Sequence, residues 1–295
     1  PEISTLVKRD AIPNVRQAAA CTWSALTVDT STASKLLISK DPSTLRGTVV
    51  GLLRTRNTGE VPEAFQHLNL LTQSKSPQER TEAAYLLAEI SNPQLYEVLL
   101  PLLQDESIEV KKSALRAAAK TRHPAIYPLV IIALASPQTR SLAFNALVAG
   151  KEIALPEIIK SIKDENLHRR IHLRLVRACS HIKGDAIHAL ESWINHHNVN
   201  LRSRVLTALH DCRYKPEGRS MQLVQEQVEV ELRRAAWLLS CLSDLQQSKK
   251  TEPIIRAFND DLIDTRDRLF LLFGFVYGSR AVHRARAAIT HQDVN

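Results

Sequence analysis

A period of about thirty residues is the feature of this sequence that most constrains its fold. A basic residue is followed by small or apolar residues three, four and seven positions later, and nine such copies align at spacings of 29 to 34 residues. Offsets of three, four and seven place side chains on one stripe of an α-helix, so each copy predicts a helix. We call the basic residues the register residues: Arg16, Arg46, Arg80, Lys111, Arg140, Arg169, Arg202, Arg233 and Arg266.

Apolar segments between the register helices predict the second helix of each pair. The clearest are residues 94–103, 125–135, 153–162 and 186–194. A helix pair of this length cannot bury its apolar stripe alone, so consecutive pairs must stack into one continuous core. Only 8 of the 295 residues are glycine, well below the usual ~7%, which argues against sheets joined by tight turns. The sequence therefore predicts an all-α solenoid.

The register and its spacing resemble HEAT repeats of the short, bacterial type. The resemblance implies a HEAT-type α-solenoid, a right-handed superhelix of about nine helix pairs. It also implies a ladder, in which an acidic or amide residue in the turn before the first helix pairs with the basic residue about six positions later. Arg80 and Arg140 have only serine at that distance, so we expect the ladder to be broken there. The implied pairs are Asp10 with Arg16, Asp41 with Arg46, Asp105 with Lys111, Asp164 with Arg169, Asn198 with Arg202 and Asp260 with Arg266.

The last eighty residues carry a narrower resemblance. Residues 228–239 read Val-Glu-Val-Glu-Leu-Arg-Arg-Ala-Ala-Trp-Leu-Leu, and residues 267–277 and 281–286 continue with Arg-Leu-Phe-Leu-Leu and Ala-Val-His-Arg-Ala-Arg motifs. These segments are similar to the HEAT region of large bacterial proteins that join an ATP/ADP translocase-like membrane domain to HEAT repeats and a cyclic-nucleotide-binding domain. The resemblance implies a cytosolic connecting or partner-binding module of a membrane-associated protein. It assigns no transport or nucleotide-binding residue to this chain.

Two regions are expected on this basis. Residues 1–215 would form the HEAT-repeat array, and residues 216–295 would continue and cap the same solenoid. Hydrophobic residues make up 44% of the chain, charged residues 24%, and the mean hydropathy is −0.17. This balance predicts a soluble protein, because the longest apolar segments are about half of the ~20 residues that span a bilayer.

The cysteines and the first residues indicate a compartment. The four cysteines lie far apart with no C-x-x-C motif, which favours buried thiols in a reducing environment. The first residues show no secretory signal, and Pro1 indicates a processed chain or a fragment. We therefore expect a cytoplasmic location, or one on the cytoplasmic face of the inner membrane within a larger protein.

Positive charge is concentrated between residues 168 and 213. This segment holds eight Lys/Arg, three Asp/Glu and seven of the eleven histidines, within a chain of net charge +8. Arg170, Arg174 and Arg177, which we call the basic strip, follow i, i+4 and i+7 spacing and share one helix face. Such a strip is either a solvated face or a site for an acidic partner, a phosphate-bearing ligand or an anionic lipid surface. The candidate partner-binding residues are Arg170, Arg174, Arg177, Lys183, Arg204 and Arg213.

Neither a metal site nor a cofactor is expected. His168, His172 and Cys179 fall near one helical face, but the sequence contains no H-E-x-x-H and no paired C-x-x-C. Nucleotide-binding and hydrolase fingerprints are also missing from the sequence. We therefore assign no catalytic residue.

The expected function is a non-enzymatic scaffold that binds a protein partner or adjoining domains of a longer chain, with an anionic lipid surface as a further candidate. One alternative is a nucleic-acid-binding HEAT protein of the DNA-glycosylase-like type. Trp23, Trp193 and Trp237 are dispersed over seven repeats, so they do not predict a base-stacking site, and nucleic acid is not expected as a partner. A free-standing protein-interaction adaptor is the other alternative, and the sequence does not determine the oligomeric state.

Overall fold

A computed structural model describes residues 2–27, 35–164, 166–245, 251–278, 280–282, 284 and 287, but not the side chains at positions 2, 4, 8, 9 and 169. The described residues form α-helices and short 3-10 helices and contain no strand. The predicted all-α solenoid class is confirmed. No helix in the described ranges is long and apolar enough to cross a membrane. The contacts divide the chain into two units, residues 1–160 and 161–295, while the predicted boundary at residue 216 stays a prediction.

The first unit consists of stacked helix pairs. The helices α2, α3, α5, α7 and α9 carry the register residues and pack against one another in chain order, while α4, α6 and α8 form a second layer. The predicted second helices at 94–103, 125–135 and 153–162 are confirmed by α6, α8 and α10. The bounds are α1 (Glu2–Arg9), α2 (Pro13–Leu26), α3 (Pro42–Thr55), α4 (Pro62–Thr72), α5 (Pro77–Ile90), α6 (Tyr96–Gln104), α7 (Ile108–Thr121), α8 (Tyr127–Ala133), α9 (Arg140–Gly150) and α10 (Leu155–Lys163), which crosses the boundary at residue 160.

Small residues at the register positions set the distance between these helices. Ala83 and Ala114 are fully buried, as the register predicts. Gly47 and Gly51 of α3 allow a still closer approach, because a Cβ atom on either residue would lie 2.2 or 2.3 Å from the carbonyl oxygen of Gln17 or Cys21 in α2. The first pair of register helices is therefore packed backbone against backbone at this point.

Register arginines join one repeat to the next, which corrects the predicted ladder. Arg16 donates from Nε to Asp41 Oδ2 at 3.0 Å and from Nη2 to Oδ1 at 3.1 Å. Arg80 forms the same forked pair with Asp105, at 2.5 and 3.0 Å. Each acid lies 25 residues after its arginine, so the pair connects successive repeats. The hydrogen bonds from Arg16 and Thr44 hold the pKa of the Asp41 carboxyl well below its usual range.

The residue six positions before the arginine contributes its backbone carbonyl rather than its side chain. Arg16 donates from Nη1 to the carbonyl oxygen of Asp10 at 2.7 Å, and Arg80 donates to that of Ser74 at 2.9 Å. A carbonyl is present whatever the side chain, so the expected break at Arg80 is wrong. The expectation for Arg140 stays a prediction, and the pair of Asp164 with Arg169 lies outside the described residues.

Two further implied pairs are replaced by other contacts. Arg46 pairs with Glu82 of the following register helix, not with Asp41. The side chain of Asn198 accepts hydrogen bonds from the backbone N–H groups of Asn200 and Leu201 and so caps a helix instead of pairing with the register arginine.

The second unit begins with two further register helices and ends in a long hairpin. The helix α11 packs against α13, with the short α12 beside both, and α13 packs against α15. The predicted helix at 186–194 is confirmed as α12. The helices are α11 (Arg169–Ile182), α12 (Asp185–Glu191), α13 (Val199–Asp211), α14 (Arg219–Asp244) and α15 (Glu252–Tyr277).

The helices α14 and α15 form one antiparallel hairpin rather than two helix pairs. Arg234 donates to Asp261 at 2.6 Å, and the rings of Trp237 and Phe258 lie 5.8 Å apart. The packing positions predicted for the Arg233 copy are wrong, since Ala236, Trp237 and Ser240 are exposed. The buried stripe of α14 runs instead through Val224, Gln227, Glu231 and Leu238.

A buried cluster of charges joins α13 to this hairpin. Glu231 is fully buried and accepts from Arg202 Nε at 2.9 Å through Oε1 and from Arg268 Nε at 3.0 Å through Oε2. Gln227 donates to the same Oε1, and Thr265 Oγ1 accepts from Arg268. We call Arg202, Glu231 and Arg268 the buried triad. Because each side chain is on a different helix, the triad fixes the relative register of α13, α14 and α15.

Candidate binding groove

Four predicted arginines line one groove within the second unit. Arg170, Arg174 and Arg177 come from α11 and Arg204 comes from α13, and the groove between these helices has a volume of about 560 Å³. Asp211, at the end of α13, is its single carboxylate. The structure thus brings together four of the six candidate residues, although they are up to 34 positions apart in sequence.

The packing of the two helices determines which side chains reach this groove. On α11, Leu175, Val176 and Cys179 are buried, which leaves the basic strip on the outer side of the same helix. On α13, Val205 and Leu206 are buried and the preceding Arg204 is exposed. Apolar stripes therefore hold the helices together, and the arginines at the edges of those stripes form the two walls.

The two helices run in the same direction. Near their starts, Leu173 of α11 and Leu201 of α13 line a common cavity. Near their ends, Cys212 Sγ lies 3.3 Å from the carbonyl oxygen of Ser180. Position 180 of α11 is thus level with position 212, an offset of 32 residues, so Arg204 is level with position 172.

This arrangement gives the groove two different ends. By the same offset Arg204 is opposite the interval between Arg170 and Arg174, so arginines of both walls line what we call the basic end. Asp211 is level with position 179, between Arg177 and His181 of α11, at what we call the acidic end because it holds the groove's carboxylate. This end lies about 10 Å further along the helices given a rise of ~1.5 Å per residue. The groove is therefore basic near the N-termini of α11 and α13, and its carboxylate lies near their C-termini.

Apolar groups, hydroxyl groups and the imidazole of His181 complete the lining. Leu173, Val176 and Ala208 line the groove together with the hydroxyl-bearing Ser180 and Thr207. The Ser180 hydroxyl donates to the Arg177 carbonyl oxygen at 2.8 Å, and the Thr207 hydroxyl donates to that of Ser203 at 2.9 Å. Each hydroxyl oxygen keeps acceptor capacity. The surface suits a chain with both apolar and anionic groups.

The remaining two candidate residues lie elsewhere. Lys183 follows the end of α11 outside the groove lining, with φ of 62° and ψ of −158°, a backbone region that strongly favours glycine. Arg213 lines a separate cavity with Tyr214 and Phe275. Burial raises the pKa of the Tyr214 hydroxyl in this cavity to about 12.

The histidines and cysteines considered as metal ligands do not converge. His168 Nδ1 accepts the backbone N–H of Arg170 at 3.2 Å, and His172 Nε2 lies 3.0 Å from the carbonyl oxygen of Asp164. Cys179 is fully buried, and burial raises the pKa of its thiol to about 12. Over the described ranges, no group of three or more His, Cys, Asp or Glu side chains could hold a metal ion.

Sequence reasoning missed seven of the eleven residues that line the groove. The i, i+4, i+7 spacing identified the strip on α11, and the local excess of positive charge included Arg204. Ser180, Thr207 and Asp211 carry no signal in a single sequence, because their place in the groove depends on the stacking of α11 against α13. The repeat offset of about 32 residues is the one signal that could have placed Arg204 opposite Arg170 and Arg174.

Comparison with known proteins adds one finding about the first unit. No curated protein matches the chain. Residues 66–149, from the middle of α4 to the end of α9, match the family model of HEAT repeats. This part of the chain is therefore similar to HEAT repeats, in agreement with the stacking of α4 to α9.

Proposed function

We propose that this chain is a non-enzymatic interaction module whose groove between α11 and α13 binds an acidic segment of a protein partner. The observation that carries the proposal is the convergence of four arginines from two helices on one groove with a single carboxylate. HEAT repeats are protein-interaction scaffolds, and the match at residues 66–149 supports the same general role here.

The geometry of the basic strip supports an extended peptide as the ligand. Arg170 and Arg174 are separated along the helix by about 6 Å. Alternate side chains of an extended peptide lie about 6.7 Å apart on one side of the chain. Carboxylates at alternate positions can therefore meet successive guanidinium groups, and each pair can form the forked hydrogen bonds that arginine favours.

Two register arginines of the first unit form structural contacts instead of facing a groove. The guanidinium groups of Arg16 and Arg80 are taken up by an acid of the next repeat and a backbone carbonyl. By contrast, neither Arg170 nor Arg204 forms a salt bridge with any described side chain. Their charge is therefore available to a ligand.

The proposal is tested with a fluorescent peptide in which glutamate and leucine alternate. We expect the variant Arg170→Gln, Arg174→Gln, Arg177→Gln to lose affinity for this peptide by at least about tenfold, because three charge-assisted contacts are removed. The matched control removes three exposed positive charges from α7 and the residue that follows it, through Arg116→Gln, Lys120→Gln and Arg122→Gln. This control should bind as the unchanged chain does.

Two outcomes would contradict the proposal. Equal losses in both triple variants would show that only total charge matters. Tight binding of duplex DNA, with log affinity falling by about 0.9 per log salt for each phosphate neutralised, would support the nucleic-acid alternative instead.

A finer proposal concerns the protein to which this module belongs. The resemblance of residues 216–295 to the HEAT region of translocase-like proteins supports a place within a membrane-associated nucleotide-transporter-like protein. That resemblance is its only support. The full-length reading frame tests it, since a flanking series of apolar helices is required and a flanking catalytic domain of another class would contradict it.

A further inference from the structure

We propose that the basic end of the groove recognises a phosphoryl group, so that the acidic segment is a phosphorylated segment of a partner protein. This inference rests on the proposed function and specifies the ligand of the same groove. It depends on the difference between the basic and acidic ends of the groove.

Guanidinium groups from two walls fit a phosphoryl group better than a carboxylate. Arg170 and Arg174 of α11 and Arg204 of α13 line opposite walls of the groove at this end. A carboxylate has two oxygens in one plane and a single charge, whereas a phosphoryl group has three terminal oxygens in different directions and carries about −1.5 to −2 charges at neutral pH. One phosphoryl group can therefore accept hydrogen bonds from both walls at once.

The start of α11 adds to the positive potential at this end. Arg170 is the second residue of α11, a helix of 14 residues. The N-terminus of a helix carries a partial positive charge, which favours a dianion more than a monoanion. The helix start alone would not define a site, but here it coincides with the three arginines.

The acidic end determines what else the segment should carry. Asp211 lies about 10 Å from the basic end along the helix axes, a distance that three residues of extended peptide cover. The carboxylate of Asp211 can pair there with a lysine or arginine of the segment. The lining by Leu173, Val176 and Ala208 suits an apolar residue between the two charged ones. The matching ligand is a phosphorylated residue with a basic residue three positions away.

Fluorescence anisotropy with three peptides of otherwise identical sequence tests this inference. The peptides carry phosphoserine, glutamate or serine at one position, with a lysine three residues away, and are made in both chain directions. We expect the phosphoserine peptide to bind at least about tenfold more tightly than the glutamate peptide, in one direction of the chain. Arg204→Gln should reduce this preference to about threefold or less, because one wall of the basic end loses its charge.

Two further variants separate a specific site from general charge. Arg213→Gln removes the same charge from the same unit but outside the groove, and it should keep the preference for phosphoserine. Asp211→Asn should weaken the peptide with lysine and leave unchanged a phosphoserine peptide with alanine in place of that lysine. Arg204, Asp211 and Arg213 are all exposed, and equal melting temperatures would confirm that the variants are folded.

The outcomes distinguish the inference from the function on which it rests. If the glutamate peptide binds as tightly as the phosphoserine peptide, the inference is overturned while the proposed function stands. If none of the peptides binds, including the alternating glutamate and leucine peptide, both are overturned. Binding to vesicles of phosphatidylcholine and phosphatidylserine that requires Arg204, with no peptide binding, would replace both with a lipid-binding function.

Discussion

In residues 1–160 the arginines that join successive repeats pair at the edge of the stack, whereas in residues 161–295 the arginines of the buried triad pair inside it. The side chains of Arg16 and Arg80 remain 20% and 19% exposed in their pairs. Those of Arg202 and Arg268 are only 8% and 2% exposed, and Glu231 between them is fully buried. The pairs of the buried triad are therefore withdrawn from water, unlike the pairs that join the repeats of the first unit.

The comparison also separates two uses of arginine within the second unit. Arg202, a register residue, is buried in the triad, while Arg204, two positions later, lines the groove. Burial in an ion pair within the described residues therefore distinguishes the structural arginine Arg202 from the groove arginine Arg204. The following predictions test this distinction, beginning with the largest expected effect.

Removal of the central carboxylate of the buried triad should have the largest effect. Glu231→Ala leaves Arg202 and Arg268 as uncompensated buried charges, which costs about 3–5 kcal/mol of unfolding free energy. Urea denaturation followed by tryptophan emission measures this loss, since Trp193 and Trp237 lie in the second unit. The matched control is Glu229→Ala, whose exposed pair with Arg233 contributes at most about 0.5 kcal/mol. Similar losses in the two variants would show that the triad is not a structural core.

A larger residue between the closely packed α2 and α3 should cause the second largest loss of stability. Gly51→Ala places a Cβ atom 2.3 Å from the Cys21 carbonyl oxygen, so the helices must separate, at a cost of about 1–3 kcal/mol. Gly59→Ala is the control, because no atom lies within 4 Å of its added Cβ. Urea denaturation followed by circular dichroism compares the two. An unchanged midpoint for Gly51→Ala would contradict the close packing of the first register helices.

Loss of an inter-repeat pair in the first unit should have a smaller effect than loss of the triad. Arg80→Gln removes the forked pair with Asp105 and should destabilise the protein by about 1–2 kcal/mol, because both partners keep some contact with water. The control is Lys112→Gln, which removes an exposed pair with Glu109 on one helix and should cost less than about 0.5 kcal/mol. If Arg80→Gln lowered the free energy of unfolding as much as Glu231→Ala, the proposed difference between the exposed and the buried arginine pairs would be contradicted.

The smallest expected effect is a gain in stability rather than a loss. Lys183 occupies a backbone conformation that favours glycine, so Lys183→Gly should raise the melting temperature, by the equivalent of about 1 kcal/mol. Because Lys183 lies outside the groove lining, affinity for the alternating glutamate and leucine peptide should fall by less than about twofold. Differential scanning calorimetry and the same peptide titration measure the two effects. A large loss of affinity would extend the binding surface beyond the groove.

The sequence predicted packing well where the repeat is regular. Val49, Ala83, Ala114 and Val205 are buried as the register requires, since each sits on a stripe defined by helical periodicity alone. The repeat pattern wrongly predicted that Trp237 is buried. The helix α14 belongs to a long hairpin, and its buried residues occupy different positions from those of the register helices. The repeat pattern also failed for the arginine pairs, because the acceptors are backbone carbonyls and acids of the next repeat.

The candidate site could be predicted only in part for a related reason. The basic strip is a pattern within one helix, so spacing revealed it. The opposite wall with Arg204 and the acidic end with Asp211 depend on how α11 stacks on α13. Glu231 was missed because a Val-Glu-Val-Glu segment has the appearance of a solvated helix surface, and only the packing of three helices shows that this carboxylate is buried.

A direct comparison of two multiple variants tests the distinction between the arginines that join successive repeats and the arginines that line the groove. Melting temperature and affinity for the alternating glutamate and leucine peptide are measured for Arg170→Gln, Arg174→Gln, Arg177→Gln and for Arg16→Gln, Arg80→Gln. We predict that the first variant loses at least about tenfold in affinity with a melting temperature within about 2 °C of the unchanged chain. The second should melt at least about 4 °C lower and bind with unchanged affinity below its transition. A loss of affinity in the second variant equal to that in the first would contradict the account.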